Sequence, residues 1–197
     1  MTELPLFPLR AVLFPHGRMP LKIFEPRYVD LVSDSLKHER EFGVVWIREG
    51  GEVVLDADHA MPRLAQIGCT ARIVDWDALP NGRFGITIEG GSKFRVLSTQ
   101  QRPNFLVVAE TEFLPAEESI DVPAHAQDMI ELLRQLMEHP AIARLNIEPQ
   151  LDDAGRLANQ LAQLLPIPES SKFALLAEFN PQERLDRLLA ILEQISS

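Results

Sequence analysis

The chain has 197 residues, 46% of them apolar, a formal net charge of −10 and a single cysteine, Cys69. That size and composition exclude a disordered chain and leave room for one large domain or two small ones, each with a real core. One cysteine excludes an internal disulfide, and the acidic balance works against general affinity for nucleic-acid backbones.

The charge is uneven. Residues 1–115 carry thirteen Lys and Arg against fifteen Asp and Glu, whereas residues 116–197 carry six against fourteen. The later excess is what a solvated acidic helix face produces. At the N-terminus, Arg10 and a series of prolines break the apolar run and no basic segment leads it, so no secretory signal is expected. No uninterrupted apolar segment approaches the roughly 18 residues of a membrane span. The expectation is a soluble cytoplasmic protein with no membrane partner.

The opening segment runs from Leu4-Pro5-Leu6-Phe7-Pro8-Leu9 through Leu13-Phe14-Pro15 to Ile23-Phe24-Glu25-Pro26-Arg27-Tyr28, with a further proline at Pro20. Proline fixes φ and lacks a backbone donor, so short extended pieces joined by bends are expected, with no continuous helix or central strand. Pro26 suits the first turn of a helix, and Tyr28, Leu31, Val32 and Leu36 follow at helical spacing. Phe42 to Ile47 predicts a buried strand, and the polar residues between Arg48 and Arg63 predict a loop or exposed hairpin. Ala65, Ile67, Cys69, Ala71 and Ile73 alternate with Gln66, Gly68, Thr70 and Arg72, and Phe84, Ile86 and Ile88 repeat the period of two. Between them Leu79-Pro80-Asn81-Gly82 predicts a hairpin turn, because Asn-Gly accepts positive φ. Phe94 and Val96 continue the pattern after Gly90-Gly91, and Phe105 to Ala109 predicts a last strand. Several short strands with one inserted helix predict a bent sheet that closes into a small barrel and hides its edges.

The period then changes. A helix is expected near Asp121 to Glu138, with Met129, Ile130, Leu133 and Met137 on one face, ended by His139-Pro140. A second, roughly Asp152 to Leu165, carries Leu157, Leu161, Leu164 and Leu165, and a third after Pro168 carries Phe173, Leu176 and Ala177. The fourth has Asn180 as cap, Pro181 in its first turn, Glu183 placed for a capping box, and a stripe of Leu185, Leu188, Leu189, Leu192 and Ile195. The expected class is α+β, with a β-rich subdomain over residues 1–115 and a four-helix bundle over 116–197.

The proline-spaced opening resembles the start of the N-terminal, substrate-handling domain of the Lon protease family. Gly68-Cys69-Thr70-Ala71-Arg72-Ile73 is similar to the family's Gly-x-x-Ala-x-Ile strand. Asn81-Gly82-Arg83, Gly90 and Lys93-Phe94-Arg95 resemble the next turn and strand, while Leu165-Pro166 and Arg184-Leu185 resemble a Leu-Pro element and a late Arg-Leu pair. The resemblance spans nearly the whole chain and implies a PUA-like β pseudobarrel followed by helices, acting in recognition of polypeptide. The family's ATPase and protease modules have no counterpart in these residues. No Gly-Lys-Ser/Thr triplet forms a phosphate loop, Gly90-Gly91-Ser92-Lys93 has the wrong order, and no room remains for a serine–lysine protease domain. A binding domain standing alone is the expectation.

Other chemistry is weakly signalled. His16, His38, His59, His125 and His139 are scattered without metal-ligand spacing, and Asp56, Asp58 and His59 are the best local cluster for a cation. Cys69 sits on the apolar side of a strand, where a buried thiol is inert. Asp75-Trp76-Asp77 sets two carboxylates around an aromatic, and no Gly-x-Ser-x-Gly elbow is present. Arg72, Arg83, Lys93, Arg95 and Arg102 are candidates for a basic patch, the RNA-binding alternative for a PUA-like fold. Phe7, Phe14, Met19 and Phe24 are candidates for an apolar contact surface, or else fill the seam between barrel and helices. The expected function is non-catalytic binding of unfolded or exposed polypeptide segments, in company with a full-length protease. No catalytic residue, cofactor, metal or nucleic-acid partner is expected, and a small enzyme with an unseen site is the other alternative.

Overall fold

A computed structural model describes residues 2–52, 61–80 and 83–196. The chain is mixed α+β. Six strands, β1 (Thr2–Leu9), β2 (Arg18–Ile23), β3 (Phe42–Glu49), β4 (Arg63–Leu79), β5 (Arg83–Gln101) and β6 (Val107–Phe113), form one sheet in the order β2-β5-β4-β3-β1-β6. β5 is long enough to pair with β4 along one side and with both β2 and β6 on the other. Its pairing to β6 closes a ring of five strands and leaves β2 with a single neighbour among the described residues. Helix α1 (Pro26–His38) lies between β2 and β3, starting on Pro26 as expected, and packs Tyr28, Leu31 and Val32 against the barrel.

β1 departs from the sequence expectation, since it is a continuous strand with Pro5 and Pro8 inside it. Thr2–Pro5 pair with β6 and Leu6–Leu9 pair with β3, so each half has a ladder on one side only. A residue paired on one side can dispense with its N–H, and the two prolines exploit that. Pro20 follows the same rule on β2. The Leu79↔Arg83 pairing makes β4 and β5 a hairpin, while Asn81 and Gly82 themselves lie outside the described residues. Two glycines are forced by close approach. A Cβ at Gly90 would lie 2.0 Å from the Phe14 carbonyl oxygen, and one at Gly68 would strike the buried Phe94 ring at 2.6 Å.

After β6 the helices are α2 (Gln127–Glu138), α3 (Pro140–Ala143), α4 (Ala154–Leu164), α5 (Glu169–Leu176) and α6 (Pro181–Ser196), with a 3-10 turn at Ala124–Ala126. α2 begins later than its apolar spacing predicts, because Pro123 biases Val122 away from helix. Pro140 ends α2 but also opens the short α3, so five helices follow the sheet where four are expected. The Asn180 side chain accepts from the N–H groups of Gln182 and Glu183 as a cap. The reciprocal half of the box comes from Glu178, which accepts from the Asn180 N–H, and not from Glu183. Leu185 and Leu188 are buried, whereas Ile195 is exposed and leaves the predicted stripe.

The helices share their core with the barrel. Val12, Phe14 and Ile67 join Leu133, Leu157, Leu161, Leu185 and Leu188 in one apolar cluster, and Trp46 packs on Phe173 with ring centroids 5.4 Å apart. Residues 12–16 of the opening segment run through this seam. Their backbone polar groups are met by α4 and α5: the Val12 N–H donates to Glu169, the Phe14 N–H donates to Gln163, and the Val12 and His16 carbonyls accept from Gln163 and Gln160.

Candidate functional site

Two concave regions compete. The larger, about 770 Å³, lies at the seam between Phe113–Glu118, Phe179–Pro181, Lys93 and Arg95. Its size suits a small-molecule site, for which roughly 300–1,000 Å³ is usual. Apart from Glu118, which has no partner among the described residues, its ionisable groups are spent on one another or on Arg184. Arg184 is 0% exposed and all five of its donors are used. They go to both carboxylate oxygens of Glu117, to Asn159 on α4, and to the Leu175 and Glu178 carbonyls. From β5, Lys93 donates to Glu117 at 2.7 Å and to the Glu178 carbonyl at 3.3 Å, with its ammonium 5.8 Å from the centre of the Phe179 ring.

Burial alone would raise the Glu117 carboxyl, but hydrogen bonds from Arg184 and Lys93 outweigh it and hold the group below its usual range. Lys93 is lowered by burial first and by Arg184 second. This is a clamp that ties β5, the β6–α2 connection, α4 and α6 together. It leaves no free acid, base or nucleophile among its members.

The second region lies across β2. One groove of about 210 Å³ is lined by Phe7, Leu9, Phe24, Glu25 and Tyr28, and a second of about 280 Å³ by Asp75, Trp76, Asp77 and Leu79. Pro20, Leu21 and Lys22 line both. Each is smaller than a usual small-molecule site and fits a side chain. Phe24 is 55% exposed and Trp76 53% exposed, one beside each groove. Tyr28 is only 4% exposed, stacks on Phe7 with ring centroids 3.9 Å apart, and its hydroxyl has no hydrogen-bond partner among the described residues. Burial pushes that hydroxyl's pKa up, so it stays protonated and able to donate.

The predicted site residues fare unequally. Of the apolar set, Phe7 and Met19 are buried in the barrel core and Phe14 in the seam cluster, leaving Phe24 as the exposed member. The basic set does not gather. Arg72 pairs with Glu89, Arg95 with Glu112, Arg102 with Glu3, and Lys93 is buried in the clamp. Asp56, Asp58 and His59 lie outside the described residues. His38 sits beside Asp34, His125 beside Asp186, and His139 caps α3, while His16 is exposed at a positive φ of 62°. Cys69 is fully buried, and burial raises its thiol so that it stays protonated. Among the described residues no group of three His, Cys, Asp or Glu gathers to hold a metal, and no helix is long and apolar enough to cross a membrane. Sequence reasoning did not place Trp76 in a groove with Pro20. The neighbouring β2 comes from far away in the chain, and spacing around Asp75-Trp76-Asp77 carries no sign of it.

Comparison with known proteins agrees with this architecture. A model of the ATP-dependent protease La (LON) substrate-binding domain matches residues 3–194. A crystal structure of a Lon N-terminal domain protein from Xanthomonas campestris is 32% identical, covers 96% of this chain and 98% of its own, and superposes with a TM-score of 0.73. The N-terminal domain of the Mycobacterium avium complex Lon protease shares the fold, with a TM-score of 0.64 at 16% identity over 96% of this chain and 97% of its own. Lon protease 2 of Myxococcus xanthus is 27% identical over 97% of this chain, which spans 23% of that relative's length. The chain belongs to the family of Lon substrate-binding domains.

Proposed function

We propose that this domain captures extended polypeptide segments in the paired grooves across β2, without catalysing a reaction. The observation that carries the reading is the exposure of Phe24 and Trp76 beside grooves that meet on the one strand with a single neighbour among the described residues. Successive side chains of an extended segment point to opposite sides, and two side-chain-sized hollows on one surface suit that repeat. Pro20 bears on the mode. It interrupts the row of donors along β2, which makes the strand edge a poor template for backbone pairing and favours recognition through side chains. The Lon proteases among its relatives supply the wider setting: the captured segment is passed to an ATPase–protease of this family, in the cytoplasm.

The test is binding of a fluorescently labelled unfolded polypeptide to the intact chain, followed by anisotropy. Phe24→Ala with Trp76→Ala is expected to weaken binding by about tenfold or more, since exposed aromatic anchors carry most of the energy of such contacts. Phe113→Ala, beside the seam cavity, is expected to leave it unchanged. The opposite pattern would move the site to the seam.

A further inference from the structure

The strand registers set the outer face of β2, β5 and β4 in rows three residues abreast, while Ile23 and Ile86 between them turn to the core. In one row Glu89 of β5 stands between Arg18 of β2 and Arg72 of β4 and pairs with both. The next is Pro20, Thr87 and Asp75, and the third is Lys22, Gly85 and Asp77. The third row repeats the first with its middle removed, since two charges flank a residue that has no side chain. Two strand spacings set the Lys22 and Asp77 backbones roughly 10 Å apart. Both residues are exposed, and neither has an ionic partner among the described residues.

The fold does not require a glycine at this point. Of the five glycines in the described strands, Gly43, Gly68, Gly90 and Gly91 lie where a Cβ would come within 2.6 Å of another atom. A Cβ at Gly85 would meet only Leu79, at an ordinary 3.5 Å, and its φ is not positive. Glycine inside a strand weakens it, so one that neither crowding nor backbone demands marks a place kept clear for an approaching group. The space kept clear is the groove of about 280 Å³, with Gly85 as its floor and Leu79, Lys22, Asp77, Pro20 and Thr87 around it.

Opposite charges across a side-chain-sized hollow set the chemistry of its occupant. A carboxylate there meets Lys22 but is repelled by Asp77, and an ammonium meets Asp77 but is repelled by Lys22. An aliphatic side chain strips water from both and returns no hydrogen bond. A primary amide carries an acceptor and a donor on one planar group and serves both flanks, each through a charge-assisted bond. We infer that this groove is a specificity pocket for an uncharged amide side chain, Gln or Asn, of the captured segment. The amide sits over Gly85 with its carbonyl toward Lys22 and its amino group toward Asp77. This rests on the groove reading above and adds to it a substrate class and the residue that admits it.

The test uses three labelled peptides that share one apolar sequence and differ at a single position, Gln, Glu or Lys, titrated into the intact chain. The Gln peptide is expected to bind about five- to tenfold more tightly than either charged one, the low end for a hydrogen bond to a charged group at an exposed site. Asp77→Asn should bring the Glu peptide up to the Gln peptide, and Lys22→Met should do the same for the Lys peptide. Gly85→Ala should keep or raise the urea unfolding midpoint while lowering Gln-peptide affinity about fivefold, and Gly85→Val should lower it further. A structural glycine would give the reverse, a fall in stability with affinity per folded molecule unchanged, and that result overturns the inference. Equal binding of the three peptides, still weakened by Phe24→Ala with Trp76→Ala, would overturn the amide pocket and leave the groove reading standing. Failure of all three to bind would overturn both.

Discussion

At the seam, Arg184, Glu117 and Lys93 are drawn out of water and tied to one another, whereas across β2 the charges of Asp75, Asp77 and Lys22 stand in solvent with no ionic partner among the described residues. Both places combine aromatic rings, prolines and charges, so composition does not separate them. Satisfaction does. A buried charge must have its partners or the fold fails, so Arg184, Glu117 and Lys93 have no capacity left for a ligand. An exposed charge is stabilised by water and remains available, and its unpaired state costs the fold little. In the proposed reading the larger cavity is the structural one and the smaller pair of grooves the one open for binding.

Variants break or sharpen that contrast. The largest effect is expected from Arg184→Ala, which leaves the half-buried Glu117 with Lys93 as its remaining cation and takes a donor from Asn159 and from the Leu175 and Glu178 carbonyls. Removing one partner of a buried pair costs about 3–5 kcal/mol, read as a fall in the urea unfolding midpoint at constant slope. Arg184→Ala should leave peptide affinity per folded molecule unchanged.

A smaller and pH-dependent effect is expected at Glu117. Its folded-state pKa is depressed below the ordinary 4.5, so its contribution is fully present above that value and is lost as pH falls through the depressed one. Glu117→Gln should therefore be less stable than the wild type at neutral pH, with the gap narrowing on acidification below 4.5. A gap that stays constant with pH would show that the Glu117 charge has no part in the clamp. The smallest stability effect belongs to the grooves. Phe24→Ala and Trp76→Ala should each shift unfolding by no more than about 0.5 kcal/mol, as exposed positions do, while weakening peptide binding. A large loss of stability there would make these rings structural.

Much of the architecture was legible in the sequence. The helical stripes at Leu157–Leu161 and Leu185–Leu188 report local burial and therefore survive into the fold, whereas the period of two from Ala65 to Ile73 survives only in part, since Gly68 and Thr70 of the outward set are buried too. Asn180 and Pro181 placed the start of α6 because a cap is a local hydrogen bond. Elsewhere the local signal misled. Pro5 and Pro8 spoke against a continuous strand. A strand can carry them here because its two halves have different neighbours, a fact set by β3 and β6 far along the chain. The apolar candidates Phe7, Phe14 and Met19 were equally fit for a surface or a core, and only packing buried them.

The proline-spaced opening, the glycines at 68 and 90 and the late arginine at 184 are what the sequence by itself determined: a β barrel followed by helices, in a recognisable family. Tertiary structure decided what those residues do. Gly68 makes room for Phe94, Gly90 for the Phe14 carbonyl, and Arg184 closes a clamp with Glu117, 67 positions away in the chain. It also decided which surface stays open, because a groove between β2 and the β4–β5 hairpin exists only once residues 20–22 and 75–79 are brought together through β5. Spacing along a chain records which face of an element is buried, and carries no record of which distant element covers it.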